Sequence, residues 1–179
     1  MTSVLNKGIG ETMVVHHGLT YALRTARPSD ASSVLAVQYA AYALREEADP
    51  PYQALIEGAD DVRAQIEGGG GTVAVAGHRI VGCIRFREEG PGVLLGMRLA
   101  VHPEFQRRGI GSRLIRSLDA YARHRHCHTL HLHVRRSADH LIAMYRRCGF
   151  EIVEHPTDPD YNHPVFLVMS KSVDGTRGI

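Results

Sequence analysis

The residues best equipped for chemistry run Leu99-Ala-Val-His-Pro-Glu-Phe-Gln-Arg-Arg-Gly-Ile-Gly-Ser112. Gly109 and Gly111 let the backbone approach a ligand without side-chain interference, and the residues after them are apolar at helical spacing. The free N–H groups that open that helix face the ligand with the positive end of the helix dipole. Such a turn cradles an anion. Arg107, Arg108 and Arg113 add positive charge beside it, which suits a pyrophosphate. A glycine pair by itself also fits a plain turn opening a solvated basic helix.

Other candidates are weaker. Five histidines stand between His124 and His133, and His131 and His133 alternate onto one face of a strand, the spacing a transition metal could use. Only Cys127 stands near them as a further ligand, so no metal is expected and the run reads as a polar helix end and strand face. Gly68-Gly69-Gly70-Gly71 invites a phosphate-loop reading, but no Lys-Ser or Lys-Thr follows, and a strand comes next where a helix is required. Cys83, Cys127 and Cys148 form no CxxC pair and read as small buried apolar residues.

These groups need a scaffold, and 179 residues with 44% hydrophobic content supply about one domain with a real core. Thr20 to Ala26 alternates like a strand, and Pro28-Ser29-Asp30 opens a helix with Ala31, Val34, Leu35, Gln38 and Tyr42 on one stripe. Asp49-Pro50-Pro51 stops it. A short helix is expected over Ala59–Glu67. Strands follow at Thr72–Ala76, Arg79–Arg87 and Val93–Val101 as a meander. Gly109–Arg123 is an amphipathic helix, Thr129–Arg135 a strand, Ala138–Arg147 a helix ended by Gly149, and Phe150–Val153 and Val165–Ser170 are closing strands. The composite is an α/β fold with a mixed sheet. Met1 to Gly18 shows no sustained period, so residues 1–19 read as a flexible leader, 20–172 as the domain and 173–179 as a flexible tail.

Gln106-Arg107-Arg108-Gly109-Ile110-Gly111 after Leu99-Ala100-Val101-His102-Pro103 resembles the acetyl-CoA-binding motif of the GNAT N-acetyltransferase superfamily. Met144-Tyr145-Arg146-Arg147-Cys148-Gly149-Phe150 is similar to that family's second signature, and the resemblance covers roughly Thr20 to Lys171. It implies a mixed, mostly antiparallel sheet of six to seven strands flanked by about four helices. It also implies acetyl-CoA as cosubstrate, with the backbone of Leu99, Ala100 and Val101 along the pantetheine arm. Gln106, Arg107, Arg108, Gly109, Ile110, Gly111 and Ser112 then surround the pyrophosphate. Tyr145 falls where the family commonly places the acid that protonates the departing thiolate. A phenol with a pKa near 10 stays protonated at neutral pH, as that role demands.

Two positions depart from the family pattern. Ala138 stands where many members have a cofactor-binding Asn, so that interaction is either missing or falls to Ser137. Leu95 stands where some members carry a base glutamate. Glu88, Glu89, His155 and His163 remain as candidates to deprotonate an amine through water, each with a plain surface role as the alternative. Without a dedicated base, low-pKa amines are expected to be preferred, or the rate to climb with pH.

Charge narrows the partners. The formal net charge is +2 overall, but Gln106–Arg147 holds ten arginines against two acids, which suits the phosphates of coenzyme A. Aromatic interleaving for nucleic acid is missing, so no nucleic-acid partner is expected. Arg45–Glu67 holds seven acids against two arginines. The resemblance sets its helices beside the acceptor site, where an acidic rim would attract a cationic amine. The expected activity is acetyl transfer to a primary amine, on a small molecule or a protein N-terminus, by direct attack in a ternary complex. The rival is a non-catalytic acyl-CoA-binding or sensory domain. No apolar run approaches the roughly 20 residues of a membrane span and no secretory signal is evident, so a cytoplasmic protein without a membrane partner is expected. Monomer and homodimer both remain open.

Overall fold

The computed structural model describes residues 3–6, 11–16, 18–43, 55–154 and 165–173. Its elements in chain order are β1 (Ser3–Asn6), β2 (Glu11–His16), β3 (Leu19–Thr25), α1 (Ala31–Tyr42), α2 (Ala59–Gly68), β4 (Gly71–Ala76), β5 (Arg79–Gly90) and β6 (Val93–Val101). Then come α3 (Ile110–His124), β7 (Thr129–Arg135), α4 (Asp139–Arg147), β8 (Glu151–Glu154) and β9 (Phe166–Ser172). The strands follow the hydrogen-bonded order β1-β2-β3-β4-β5-β6-β7-β9-β8. β6 and β7 run parallel. The pairs β1-β2, β2-β3, β3-β4, β4-β5, β7-β9 and β8-β9 run antiparallel.

The α/β class, the mostly antiparallel sheet and the four helices match the sequence reading. Among the described residues the strand count is nine rather than six to seven. The additional strands, β1 and β2, lie in the segment read as a leader. β2 pairs with β3 from Glu11↔Arg24 to His16↔Leu19, around the left-handed Gly18 at φ +76°. The hydrogen-bond ladder with β3, rather than any strong apolar pattern of its own, sets this strand. The Asp49-Pro50-Pro51 stop lies outside the described residues, as does the expected tail 173–179 except for Val173, which is buried and donates its N–H to His128 O at 2.9 Å.

Contacts divide the chain into two compact units, Met1–Arg87 with Arg98–Leu114, and Glu88–Met97 with Ile115–Ile179. In the first, Ala31, Val34, Val37, Ala41 and Tyr42 of α1 and Val62 and Ile66 of α2 join Val73, Cys83 and Ala100 in one buried cluster. Asp30 precedes α1 and accepts from both Arg24 guanidinium nitrogens at 2.7 and 2.9 Å, and from the Arg27 N–H at 2.8 Å. The Arg24 bonds hold its carboxyl below the usual carboxylate value. In the second unit, β7 buries Leu130, Leu132 and Val134 on one face and leaves His131 and His133 on the other, the alternation expected of a half-covered strand.

The glycine tract before β4 is a packing device. At Gly70, with φ +133°, an added Cβ would lie 2.5 Å from the Phe86 ring, and Gly70 O accepts from the Phe86 N–H at 3.1 Å. Only glycine permits so close an approach of the two chains at that backbone angle.

Candidate functional site

The loop between β6 and α3 lies wholly in the first unit. His102 N–H donates to Val81 O at 2.9 Å, tying the end of β6 to β5, and a 3₁₀ turn at Pro103–Phe105 follows. The Gln106 Nε2 donates back to Val101 O at 3.0 Å, so this side chain closes the loop onto the strand it leaves. Arg107 and Gly109 both take left-handed backbone, at φ 58° and 73°. For an arginine this costs about 1–2 kcal/mol, and such outliers concentrate where a loop is shaped for a ligand. Helix α3 then starts, with Arg113 N–H donating to Gly109 O at 3.1 Å. Ile110 and Leu114 anchor its first turn: a Cβ on Gly82 of β5 would meet each of them at 3.1 Å. Ahead of that bond, the N–H groups of Ile110, Gly111 and Ser112 lack intrahelical acceptors by helix geometry, an arrangement that can receive an anion. The Arg108 guanidinium lies 5.8 Å over the Phe105 ring, as does that of Arg79.

Strand β6 leads into this loop through a distortion that sequence reading missed. Arg98 has φ 55° in the middle of the strand. Its Nε donates to Glu57 Oε1 at 2.8 Å, and Arg85 Nη2 donates to Glu57 Oε2 at 2.5 Å. Gln38 Nε2 adds a third bond at 3.2 Å, and Tyr39 OH donates to the Glu57 carbonyl at 2.9 Å. Side-chain exposure is 1% for Arg85, 8% for Glu57 and 24% for Arg98. Burial pushes the Glu57 carboxyl up, but the hydrogen bonds and charges of Arg85 and Arg98 outweigh it, so the group stays below its ordinary value and ionised. Glu57 therefore does not belong to an acidic rim, as the composition of Arg45–Glu67 suggested; two arginines neutralise it in the interior. An arginine at an inward position of apolar β5 was the signal that could have found it. Next to the distortion, Tyr42 OH donates to Leu99 O at 3.1 Å. The carbonyls of Leu99 and Val101 thus have partners within the fold, and Ala100 is buried.

Tyr145 lies in the second unit, on α4, buried, with its ring 6.4 Å from that of Phe150. Phe150 N–H donates to Tyr145 O at 3.1 Å, so the turn through Gly149 at φ +91° folds the end of α4 back beneath the tyrosine. Ala138 caps α4 and is buried, and Ser137 is exposed. Leu95 is buried.

The alternative base candidates separate cleanly. Glu88 faces Arg125 at 3.4 Å. Glu89 accepts from His131 Nδ1 at 2.9 Å and lies 3.6 Å from His133 Nε2. His155 and His163 lie outside the described residues. The histidine run is split in space: His126 turns the chain at φ 56°, and His128 Nδ1 sits 3.0 Å from Thr129 Oγ1. Among the described residues no group of three His, Cys, Asp or Glu side chains is placed to hold a metal ion, and no helix is long and apolar enough to cross a membrane. All three cysteines are buried, and burial pushes the Cys83 thiol up to about 12, far from a nucleophile.

Comparison with known proteins agrees with this fold. The structure is similar to YncA, a putative acetyltransferase from Salmonella typhimurium solved with acetyl-CoA, with a TM-score of 0.71 at 16% identity over 88% of this chain and 96% of that one. PaiA N-acetyltransferase from Thermoplasma acidophilum, solved with coenzyme A, gives 0.71 at 18% identity over 85% and 98%. The ribosomal-protein-S18-alanine N-acetyltransferase of Escherichia coli gives 0.65 at 19% identity over 89% and 99%. In sequence, 56 residues are 41% identical to acetyltransferase ECA0875 of Pectobacterium atrosepticum, covering 31% of this chain and 40% of that relative's length. Residues 39–150, a stretch that holds the distorted β6, the left-handed loop and Tyr145, match the acetyltransferase (GNAT) family, and the chain belongs to that family.

Proposed function

We propose that the chain transfers an acetyl group from acetyl-CoA to a primary amine, by direct attack in a ternary complex. The observation that carries this reading is the loop Gln106–Ser112, where Arg107 and Gly109 take left-handed backbone and α3 begins at once. That loop is the site for the cosubstrate pyrophosphate, held by the N–H groups of Ile110, Gly111 and Ser112 and by the charge of Arg107, Arg108 and Arg113. Leu99–Val101 is the stretch for the pantetheine arm, and Tyr145 is the proton donor to the thiolate. Acetyl-CoA and coenzyme A in the Salmonella and Thermoplasma structures support the choice of cosubstrate.

The acceptor is a small amine or a protein N-terminus, in a cytoplasmic setting. A panel of spermidine, lysine and an alanine-initiated hexapeptide samples both classes; the peptide is included because a structural neighbour acetylates a ribosomal-protein alanine. Each is incubated with acetyl-CoA and read as free thiol. Thiol release that depends on one of these amines supports transfer. Tight coenzyme A binding with no amine-dependent release would favour the non-catalytic acyl-CoA-binding alternative instead.

A further inference from the structure

β5 reaches Glu89 near its end, and β7 carries His131 and His133 two residues apart on one face. Glu89 and the two histidines, 42 or more positions from it in sequence, meet in the second unit. Glu89 Oε2 lies 2.9 Å from His131 Nδ1, and Oε1 lies 3.6 Å from His133 Nε2. Only the first is a hydrogen-bond length. An ionised carboxylate can only accept, so the shared hydrogen belongs to Nδ1 of His131. In the neutral imidazole that hydrogen bond fixes the ring and leaves the lone pair on Nε2, the arrangement by which a carboxylate prepares an imidazole to take a proton.

The place is as specific as the pairing. His131 is in register with Leu95 of β6, and the parallel ladder from Val93↔Thr129 ends one residue later at Gly96↔Leu132. On its other side His131 faces Ser170 of β9. Its neighbours are therefore the Glu89 carboxylate, His133 on its own strand, an apolar Leu95 and a neutral hydroxyl. Nearby charges are engaged elsewhere or open to solvent. Arg125 pairs with Glu88, Lys171 with Asp119 at 2.7 Å, and Glu151 of β8, in register with Ser170, is exposed. The His131 side chain is 25% exposed and that of Glu89 29%, so the imidazole is open enough to exchange a proton with a ligand.

The geometry points to His131 as the general base of the reaction, with Glu89 as its positioning residue. This rests on the acetyl-transfer reading. The acceptor arrives as an ammonium; one proton passes to His131 Nε2, directly or through one water, and then to solvent. The freed nitrogen forms the C–N bond as the C–S bond breaks. The thiolate takes the Tyr145 phenol proton, and the second proton lost by the nitrogen restores the phenol. The sum is ammonium plus acetyl-CoA giving amide, free thiol and one proton. His133, at 3.6 Å from the carboxylate and more exposed, is left outside the proton path.

The test uses the full chain and the amine of the panel that the wild type acetylates fastest. His131→Gln is expected to lower kcat/KM roughly 10²-fold near neutral pH, the lower end for a positioned base. The calorimetric affinity for coenzyme A should stay within about threefold. The defect should shrink towards pH 9 and above, where the amine deprotonates unaided. Imidazole added to His131→Ala should restore part of the rate, and Glu89→Gln should show a smaller loss of the same pH dependence. Wild-type kcat/KM in His131→Gln from pH 6 to 9 overturns the assignment, as does a loss of rate matched by a loss of coenzyme A affinity. A wild type that acetylates no amine of the panel overturns the acetyl-transfer reading, and the assignment falls with it. A wild type that turns over confines the question to His131.

Discussion

Two clusters in this chain are built from the same parts, a glutamate between two basic side chains, and burial makes them opposites. Glu57 lies between Arg85 and Arg98 in the first unit with all three charges fixed: neither arginine can give up its proton, and the carboxyl is held ionised. Glu89 lies against His131 and His133 in the second, half-open to solvent, and there the basic partners are the one side-chain type that exchanges protons around neutrality. The first cluster shapes backbone, since it grips Arg98 in its left-handed turn of β6. The second is equipped to move a proton. Composition alone does not separate the two; the partner's chemistry and its distance from water do.

The sharpest contrast is expected in rate against fold. Tyr145→Phe removes the hydroxyl proposed as proton donor and keeps the ring against Phe150, so kcat should fall roughly 10²–10⁴-fold with coenzyme A affinity within a few fold. Loss of stability and binding together would make Tyr145 a packing residue. Glu57→Ala should do the reverse and strike the fold, leaving Arg85 buried without its counter-ion at a cost of about 3–5 kcal/mol, read by denaturant unfolding. Because the folded Glu57 carboxyl lies below its unfolded value, its stabilisation is present above about pH 4.3 and is lost as pH falls through the folded value. Glu57→Gln should accordingly lack part of the wild type's acid-limb slope.

Smaller changes refine the contrast. Arg107→Gly relieves a left-handed arginine and should raise stability by up to about 1 kcal/mol while weakening coenzyme A binding, a combination that separates ligand shaping from folding. The smallest effect belongs to Glu88→Gln. Its partner Arg125 stands 3.4 Å away at the surface, so stability should move by no more than about 0.5 kcal/mol and kcat should not change. A rate loss there comparable to that of Glu89→Gln would move the proton path to the neighbouring carboxylate.

Local pattern carried most of the fold. Helix α1 is expected from Pro28-Ser29-Asp30 and an apolar stripe over Ala31, Val34, Leu35, Gln38 and Tyr42, and the structure has it over Ala31–Tyr42, short of the expected Asp49-Pro50-Pro51 stop. Strands β3 to β9 and helices α2 to α4 also sit within a few residues of their expected bounds. The misses depend on pairing rather than on pattern. β1 pairs with β2 and β2 with β3, and neither has a strong pattern of its own. Glu57 finds Arg85 and Arg98 at separations of 28 and 41 residues, and Glu89 finds His131 at 42, distances over which spacing carries no signal. Alternation alone put His131 and His133 on one face, but it could not show which carboxylate meets them. The left-handed Arg98 and Arg107 were equally hidden, since arginine has no preference for that backbone; Gly109, which does, was legible.

The central claim is that the loop entering α3 binds the pyrophosphate of acetyl-CoA, and calorimetric titration of coenzyme A into wild type and Gly109→Val tests it most directly. Gly109 sits at φ 73°, which a β-branched residue cannot adopt without strain, so the variant should keep its circular dichroism spectrum and lose most of the binding that the wild type shows. Equal affinity in a folded Gly109→Val protein, or no binding to the wild type, would contradict the assignment.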